Sequence, residues 1–322
     1  MKKKRFASLL IVAPLALLAA CNTTPSLALE ANWLSNKSKI PPDDFIETLE
    51  YAVTFEKNAS ATDFYLNFTD GSYKTTFRSG STEGQKTYVY ETELSVKVQY
   101  TLNNASVEFE DSVITRVEFL NTQNDLKPLW SMREVHATAP LTNPSSPPAS
   151  LDRGIAYGKY DYKTEITYDY VDEKATFTIT DLASETTAAN AETTTIKLKG
   201  KGLYFDNEQL IPVLRAAELS SSMSLRTVDP TTRTLEKITV KNAPAQGTLN
   251  QTVKFKDTEK SDFDVIEIGL AYNKQNSGGT QTFTFATDKN NTYRSVLLKY
   301  EYPVIYSHGT MTYKLTTANF YN

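Results

Sequence analysis

Cysteine and histidine, the side chains that most often act as nucleophiles, proton-transfer groups and metal ligands, are scarce in this chain of 322 residues. It contains one cysteine, Cys21, and two histidines, His136 and His308. Neither histidine stands beside a Gly-x-Ser-x-Gly or Ser-x-x-Lys motif, and no His-Glu-x-x-His motif is present. The sequence therefore predicts a protein that is not an enzyme, with no catalytic residue, no metal site and no cofactor.

Carboxylates keep one catalytic alternative open, because glycoside hydrolysis needs only two of them at a suitable separation. Acidic side chains cluster at 108–111 and at 169–173, at the edges and turns of predicted strands, where exposure to solvent explains them. The second cluster also lacks the loop spacing of a hand-type calcium site. A glycan hydrolase would be favoured only by two carboxylates that face each other across a cleft.

Cys21 is better explained by lipidation than by catalysis. Lys2 to Arg5 form a basic segment, and the apolar stretch 6–18 after it has the length of a secretion signal. The tetrad 18–21, Leu-Ala-Ala-Cys, resembles the bacterial lipobox, in which the cysteine is acylated and becomes the first residue of the mature protein. The alternative is an ordinary signal peptide with a free thiol near the cleavage site. The sequence therefore predicts a lipid-anchored protein on the extracytoplasmic side of a bacterial membrane, and acyl chains supply such anchoring.

The charge of the chain argues against nucleic acid as a partner. Lys and Arg total 34 and Asp and Glu total 38, for a net charge of −4. Removal of residues 1–20 would take away four basic residues and leave a net charge of −8. No dense basic run follows Arg5, whereas proteins that bind phosphate backbones concentrate Lys and Arg on one surface.

Composition and periodicity favour strands. The chain has 19 Tyr and 15 Phe but only 12 Gly, and from Tyr51 onward apolar and polar residues alternate, most clearly over 88–100. More than a dozen such segments with a single amphipathic helix predict an all-β-dominated fold with few helices. We expect a large curved antiparallel sheet or half-barrel, because a sheet of this size must curl or close. Asp70-Gly71 predicts a hairpin turn, and 41–49 predicts a short helix.

The one convincing helix lies over 206–219. Leu210, Val213, Leu214 and Ala217 share one face at helical spacing, and Asp206 and Gln209 form a capping pair. Pro212 predicts that the regular part begins near Ile211 or is kinked.

The chain divides into a signal peptide at 1–20, a tether at 21–30 and a single antiparallel β domain at 31–322, interrupted by a Pro-rich loop at 140–148.

Five segments together resemble a family of bacterial envelope proteins of unknown function, related to the open-barrel fold of lipoprotein carriers and of mycobacterial-type lipid-binding lipoproteins. They are Tyr204-Phe205-Asp206, the helix end 213–219, Phe285-Ala286-Thr287-Asp288, Tyr293-Arg294-Ser295-Val296 and the stretch 307–315. The resemblance covers residues 155–317 best. It implies a half-barrel wrapped around helices, with a concave apolar face that takes an acyl chain.

The leading hypothesis is a non-enzymatic, membrane-anchored binder or carrier of a lipid-like ligand. In that interpretation Leu210, Val213 and Leu214 face the ligand, and otherwise they only fill the core. The alternative is a structural or interaction lipoprotein that recognises protein or glycan through sheet edges and loops. One tyrosine group could stack on sugars, line a lipid groove or pair across strands: Tyr157, Tyr160, Tyr162, Tyr168 and Tyr170.

Overall fold

The computed structural model describes residues 46–58, 65–102, 105–122, 125–140, 157–182, 191–201, 203–272, 279–288, 293–304 and 309–321. These residues form fifteen strands, a 3₁₀ turn and one α-helix. The elements are β1 (Ile46–Lys57), β2 (Tyr65–Thr82), β3 (Gln85–Leu102), β4 (Ala105–Thr122), β5 (Asp125–Pro140), β6 (Tyr157–Asp169), β7 (Lys174–Asp181), β8 (Ala191–Lys197), β9 (Phe205–Asp206), the 3₁₀ turn (Asn207–Gln209), α1 (Leu210–Ala216), β10 (Ser224–Asp229), β11 (Thr234–Phe255), β12 (Thr258–Tyr272), β13 (Gln281–Thr287), β14 (Leu297–Pro303) and β15 (Gly309–Tyr321).

All fifteen strands belong to one sheet. Its order runs from β8 back to β1, continues to β15 and then runs back to β9, so most neighbours in the sheet are also neighbours in the chain. The pairings are antiparallel except for β9 with β10 and β11 with β15, which are parallel. The predicted large antiparallel sheet with few helices is therefore confirmed, with two parallel pairings that the sequence pattern did not indicate.

The sheet is strongly rolled. Lys254 and Phe255 of β11 pair with Thr317 and Ala318 of β15, although three strands lie between β11 and β15 in the sheet. The edge strand β9 in turn lies against β5, which is the fourth strand counted from the opposite edge, β8. Twisted sheets of this size curl in this way because their apolar faces must be covered.

Helix α1 lies inside the roll. Asp206 and Gln209 form the predicted capping box, and the α-helix begins at Leu210. Pro212 falls in the first turn, where a missing backbone N–H costs little, so no kink is required. The helix is shorter than the predicted 206–219, because Ala217 has an extended backbone.

The helix and the enclosed face of the sheet share one core cluster. Only Ile211 of α1 is not fully buried, so the helix has no broad solvent-exposed face. The fully buried members contributed by the strands include Phe77, Tyr90, Val117, Phe119, Leu225, Ile238, Ile268, Phe283 and Leu297.

The predicted helix at 41–49 is wrong for its last four residues. Residues 46–49 open β1, which pairs with β2 on one side and β15 on the other. Leu49 and Tyr51, two residues apart, are buried in the core. Tertiary pairing therefore overrides the local capping signal of the acidic residues. Residues 41–45 lie outside the described residues.

The predicted hairpin turn at Asp70-Gly71 is a β-bulge. Asp70 has a φ of 47°, and the register of β2 against β3 shifts between Thr69 and Ser72, but the strand continues to Thr82. The chain reverses instead at Glu83 and Gly84, which both have positive φ. One left-handed residue bends a paired strand, whereas a type I′ hairpin turn has two such residues in succession, as at Glu83 and Gly84.

Gly71 offers a test of how closely these strands pack. A Cβ at Gly71 would lie 2.7 Å from Cβ of Val53, whereas one at Gly247 would meet only Val265, at 3.9 Å. We expect Gly71→Ala to lower the free energy of unfolding by about 1–3 kcal/mol, because neighbouring strands must separate. Gly247→Ala is the matched control and should change it little. Urea unfolding of both variants checks this, and equal stabilities would contradict the tight packing.

Several predictions fall on residues outside the described ones: Cys21 with the signal peptide and tether, His308, and the Pro-rich loop after Pro140. The cysteine's lipidation, the domain division and the membrane location stay predictions. None of the helices in the described ranges has the length and apolar character needed to cross a membrane. Every contact described lies within residues 46–321, so a chain that begins at residue 22 keeps them all.

Candidate functional site

A cavity of about 340 Å³ lies between α1 and the enclosed face of the sheet. Leu210 and Ile211 contribute from the helix, and the other walls come from strands on both sides of β1. The remaining lining residues are Tyr73, Tyr90, Thr92, Leu94, Val113, Thr115, Arg133, Asn207, Glu208, Asp229, Thr231, Tyr272, Gln281, Phe283, Tyr300, Tyr302, Met311 and Tyr313.

Six tyrosines dominate the walls of this cavity. Their rings contact one another, with centroids 5.2 Å apart for Tyr73 and Tyr313 and also 5.2 Å apart for Tyr300 and Tyr313. Burial raises the pKa of each of the six phenols, so all of them stay neutral near neutral pH. Tyr300 donates a hydrogen bond to Oε1 of Gln281 at 3.1 Å. Such walls are apolar over the ring faces and polar only at the hydroxyls.

Charged groups lie together in one part of the cavity. Nη1 of Arg133, on β5, donates to Oε1 of Glu208 at 3.0 Å. Nε of Arg133 is buried and has no hydrogen-bond partner among the described residues. Asp229, the last residue of β10, accepts through Oδ1 from the backbone N–H groups of Thr231 at 2.7 Å and Thr232 at 3.0 Å. The cavity therefore combines aromatic walls with a polar region that holds one cation and two anions.

The predicted ligand-binding residues separate into two places. Leu210 lines the cavity, together with Ile211, which the sequence analysis did not select. Val213 and Leu214 lie in the packed core cluster, with exposed fractions of 0% and 1%. Ligand binding by any of these residues stays a prediction.

Within the tyrosine group at 157–170, the four members with described side chains do not line this cavity: Tyr160, Tyr162, Tyr168 and Tyr170. Tyr168 is buried and its hydroxyl donates to Oδ2 of Asp206 at 2.5 Å. Tyr170 stacks on Tyr204, with an angle of 7° between the rings, beside a second cavity of about 450 Å³. Tyr160 is exposed.

His136 has the environment of a surface ion-pair residue. Its Nε2 lies 2.9 Å from Oε1 of Glu134, and its Nδ1 lies 3.4 Å from Oδ1 of Asp161. The hydrogen bond that Nε2 of His136 donates to the Glu134 carboxylate is the main cause that raises the pKa of His136. Both ring nitrogens face carboxylates rather than a hydroxyl nucleophile. Among the described residues, no group of three or more His, Cys, Asp or Glu side chains is placed to hold a metal ion.

A cluster at the seam between the rolled ends of the sheet centres on Asp206. Ser131 of β5 donates to Oδ2 of Asp206 at 2.5 Å, and the backbone N–H of Glu208 donates to Oδ1 at 2.8 Å. Gln209 adds a hydrogen bond from Nε2 to the carbonyl of Leu126 at 2.9 Å. These bonds join the edge strand β9 and the start of α1 to β5 and β6, and so hold the helix that forms one cavity wall.

The sequence analysis missed most of the cavity lining. Tyr300 and Tyr302 on β14, and Met311 and Tyr313 on β15, alternate with period two, which is the signal that could have identified them. Alternation predicts that such residues share one face of the sheet. It carries no information on which face encloses a cavity.

Comparisons with known proteins identify no family for this chain. No protein-family model matches it, and no curated protein matches it, so the resemblance to lipoprotein carriers stays a prediction. Solved structures similar to it include a β-barrel-like protein of domain of unknown function DUF1849 from Brucella abortus, at 10% identity and a TM-score of 0.49, over 86% of this chain and 98% of that one. A porin-like protein from Bacteroides uniformis has 12% identity and a TM-score of 0.16, over 87% and 99%. With such scores neither similarity bears on the architecture or function of this chain, and the fold rests on the strand pairings described above.

Proposed function

We propose that this protein is a non-enzymatic binding protein that holds a lipid-like amphiphile in the tyrosine-lined cavity beneath α1, and that it is anchored to a bacterial membrane through Cys21. The observation that carries the proposal is the cavity itself, which lies between the helix and the rolled sheet. Its volume of about 340 Å³ lies within the range of small-molecule sites, which are mostly apolar with a few polar groups.

The distribution of polarity supports an amphiphile rather than a simple hydrocarbon. The cavity offers an apolar surface to the alkyl chain of a ligand, formed by Leu94, Phe283, Met311 and the tyrosine rings. Nε of Arg133 offers a donor without a partner among the described residues, and a buried donor of this kind is costly to leave unsatisfied. A ligand with an apolar body and an acceptor oxygen at one end would satisfy both regions.

Hydrolysis is less well supported than binding. Glu208 and Asp229 both line the cavity, but Arg133 binds the first and two backbone N–H groups hold the second. Glycosidases need one carboxyl group as a proton donor and the other as a base or nucleophile. Each carboxylate accepts hydrogen bonds from its neighbours, so neither is placed as the proton donor.

One surface feature favours the second candidate, an interaction lipoprotein. Val171, in the turn between β6 and β7, is 94% exposed, and the neighbouring Tyr170 is 37% exposed. Leu203, which lines the second cavity with Tyr170, is 36% exposed. Exposed apolar groups that lie together are typical of sites that contact other molecules.

Native mass spectrometry of residues 22–322 purified from a bacterial host, with lipid extraction of the same sample, tests the proposal. A stoichiometric co-purified amphiphile would support it. A chain that purifies free of ligand and takes up neither fatty acids nor other single-chain amphiphiles would overturn it and favour the interaction candidate.

Filling the cavity should abolish binding. Leu94 of β3 lines the cavity, so Leu94→Trp would place a large ring where the ligand lies. We expect at least a tenfold loss of affinity for any amphiphile found, measured by fluorescence displacement. Ile114→Trp on β4 is the control, because Ile114 is exposed and does not line the cavity. Equal affinities in the two variants would place the ligand elsewhere.

A further inference from the structure

We propose that the cavity selects amphiphiles whose head group is an organic ammonium, held by the Asp229 carboxylate and the tyrosine rings beside it. This inference rests on the proposed function and names the ligand class for the same site. Four observations lead to it: the lack of an ion pair at Asp229 among the described residues, the balance of charge, the tyrosines in the same lining and the position of the Arg133 guanidinium.

Asp229 is a buried carboxylate without a cationic partner. Its exposed fraction is 3%, and it lines the cavity. Among the described residues no Lys, Arg or His side chain forms an ion pair with it. Its Oδ1 accepts the two backbone N–H groups of Thr231 and Thr232. Those two bonds stabilise the turn that follows Asp229 at the end of β10, but they supply no positive charge.

The other two charged residues of the cavity neutralise each other. Arg133 and Glu208 are joined at 3.0 Å, and the Glu208 side chain is only 9% exposed. Together with Asp229, the lining holds one positive and two negative side chains, for a net charge of −1. In surroundings of low polarity an anionic head group would be repelled by this excess, and a cationic one attracted.

Tyr272 and Tyr302 line the same cavity as Asp229. Burial raises the pKa of Tyr272, and the nearby Asp229 charge raises it further. Burial also raises the pKa of Tyr302, where Arg133 acts in the opposite direction and Asp229 adds to the increase. Both phenols are therefore neutral and lie close to the carboxylate. Tyrosine faces attract ammonium groups, and a carboxylate beside them adds a direct charge interaction.

Arg133 lies in the same part of the cavity as Asp229: burial lowers the pKa of Arg133, and the nearby charges of Glu208 and Asp229 raise it. Its Nη1 is bound to Glu208, whereas Nε has no partner among the described residues. An ammonium group at Asp229 that carries a neutral acceptor oxygen would supply that partner and keep its positive charge at the carboxylate. A fatty-acid carboxylate at the same place would instead bring a third negative charge beside Glu208 and Asp229.

Three amphiphiles with the same chain and different heads test the inference on residues 22–322: decyltrimethylammonium, 1-decanol and decanoate. The two ionic amphiphiles are used below their micelle concentrations, and decanol is used below its solubility limit. We expect decyltrimethylammonium to bind at least about tenfold more tightly than decanol, with decanoate the weakest. Calorimetry gives the three affinities directly.

Asp229→Asn removes the charge and keeps the size of the side chain and the oxygen that accepts from Thr231 and Thr232. We expect it to bind decyltrimethylammonium no better than decanol while its affinity for decanol stays unchanged. Asp262→Asn is the matched control, since Asp262 is exposed, lies outside this cavity and is hydrogen-bonded by Asn250. It should keep the order of the three ligands.

The outcomes separate the two proposals. Equal binding of the three amphiphiles, or a preference for the ammonium that survives in Asp229→Asn, would overturn the ammonium inference and leave the binding function standing. Failure of all three to bind would overturn the proposed function, and the ammonium inference with it.

Discussion

Glu47→Gln is expected to lower the free energy of unfolding by about 3–5 kcal/mol, because it leaves Arg215 buried without its counter-charge. The two side chains are 0% and 1% exposed, and the guanidinium of Arg215 donates to both carboxylate oxygens of Glu47, at 2.6 and 2.9 Å. Nη2 of Arg215 also donates to the carbonyl of Arg294 at 2.9 Å. Urea unfolding monitored by circular dichroism measures the loss.

Two further variants separate the charge effect from lost packing. Replacing both partners, Glu47→Gln with Arg215→Met, should recover much of the stability, because no unpaired charge remains. Glu192→Gln breaks the exposed pair with Arg233 and should cost about 1 kcal/mol or less. A loss in Glu47→Gln as small as that in Glu192→Gln would show that the buried pair is not a main support of α1.

The pair also bears on the cavity. Arg215 lies near the end of α1, and Leu210 and Ile211 at its start form part of the cavity wall. Glu47 lies on β1, which is the middle strand of the sheet, with seven strands on either side of it. This ion pair and the Asp206 cluster therefore hold opposite ends of a helix of seven residues, which is too short to be stable by itself.

Protein stability is expected to fall as the pH rises from about 4 to about 7, by about 4 kcal/mol from Asp206 alone. Burial raises the pKa of Asp206 from 3.8 to about 7, and the neighbouring Glu208 adds to the increase. In the unfolded chain this carboxyl loses its proton near pH 4, whereas the folded protein keeps it until about pH 7. Within that window the folded state binds more protons than the unfolded state, so each step upward in pH favours unfolding, and the effect levels off above about pH 7.

Asp206→Asn should remove this slope, because the amide resembles the protonated carboxyl and can still accept from the Glu208 N–H. Denaturation at a series of pH values, compared with the unchanged chain, measures the difference. Tyr168→Phe supplies a second check, since the hydrogen bond from Tyr168 lowers the pKa of Asp206. Its removal should move the window to higher pH. An Asp206→Asn variant with the original pH dependence would contradict the assignment.

The sequence alone determined the local structure of most of the chain. Alternation over 88–100 predicts β3, and the capping pair Asp206 and Gln209 places the start of the helical segment. These features depend on neighbours within a few residues, so they can be read along the chain. The class of fold follows from them, because many strands with one helix must form an antiparallel sheet that curls.

Predictions from local sequence signals were wrong where pairing with distant strands determines the backbone conformation. Residues 46–49 pair with strands β2 and β15, and that pairing outweighs the helix-capping signal before them. At Asp70-Gly71 the strand is paired with β3 both before and after the register shift, and with β1 from Gly71 onward, so the left-handed residue forms a bulge and not a turn. In both cases hydrogen bonds to remote parts of the chain outweigh a preference of a few residues.

Which residues come together in the candidate site is determined only by the tertiary structure. Arg133 meets Glu208 across 75 residues, and Asp229 joins them from a different hairpin. Leu210 lines the cavity while Val213 and Leu214 of the same helical stripe fill the core, because this cavity meets α1 at its first turn. Periodicity indicates which side of an element is apolar. The enclosure of a cavity depends on how the whole sheet closes, and that is a property of long-range packing rather than of any local pattern.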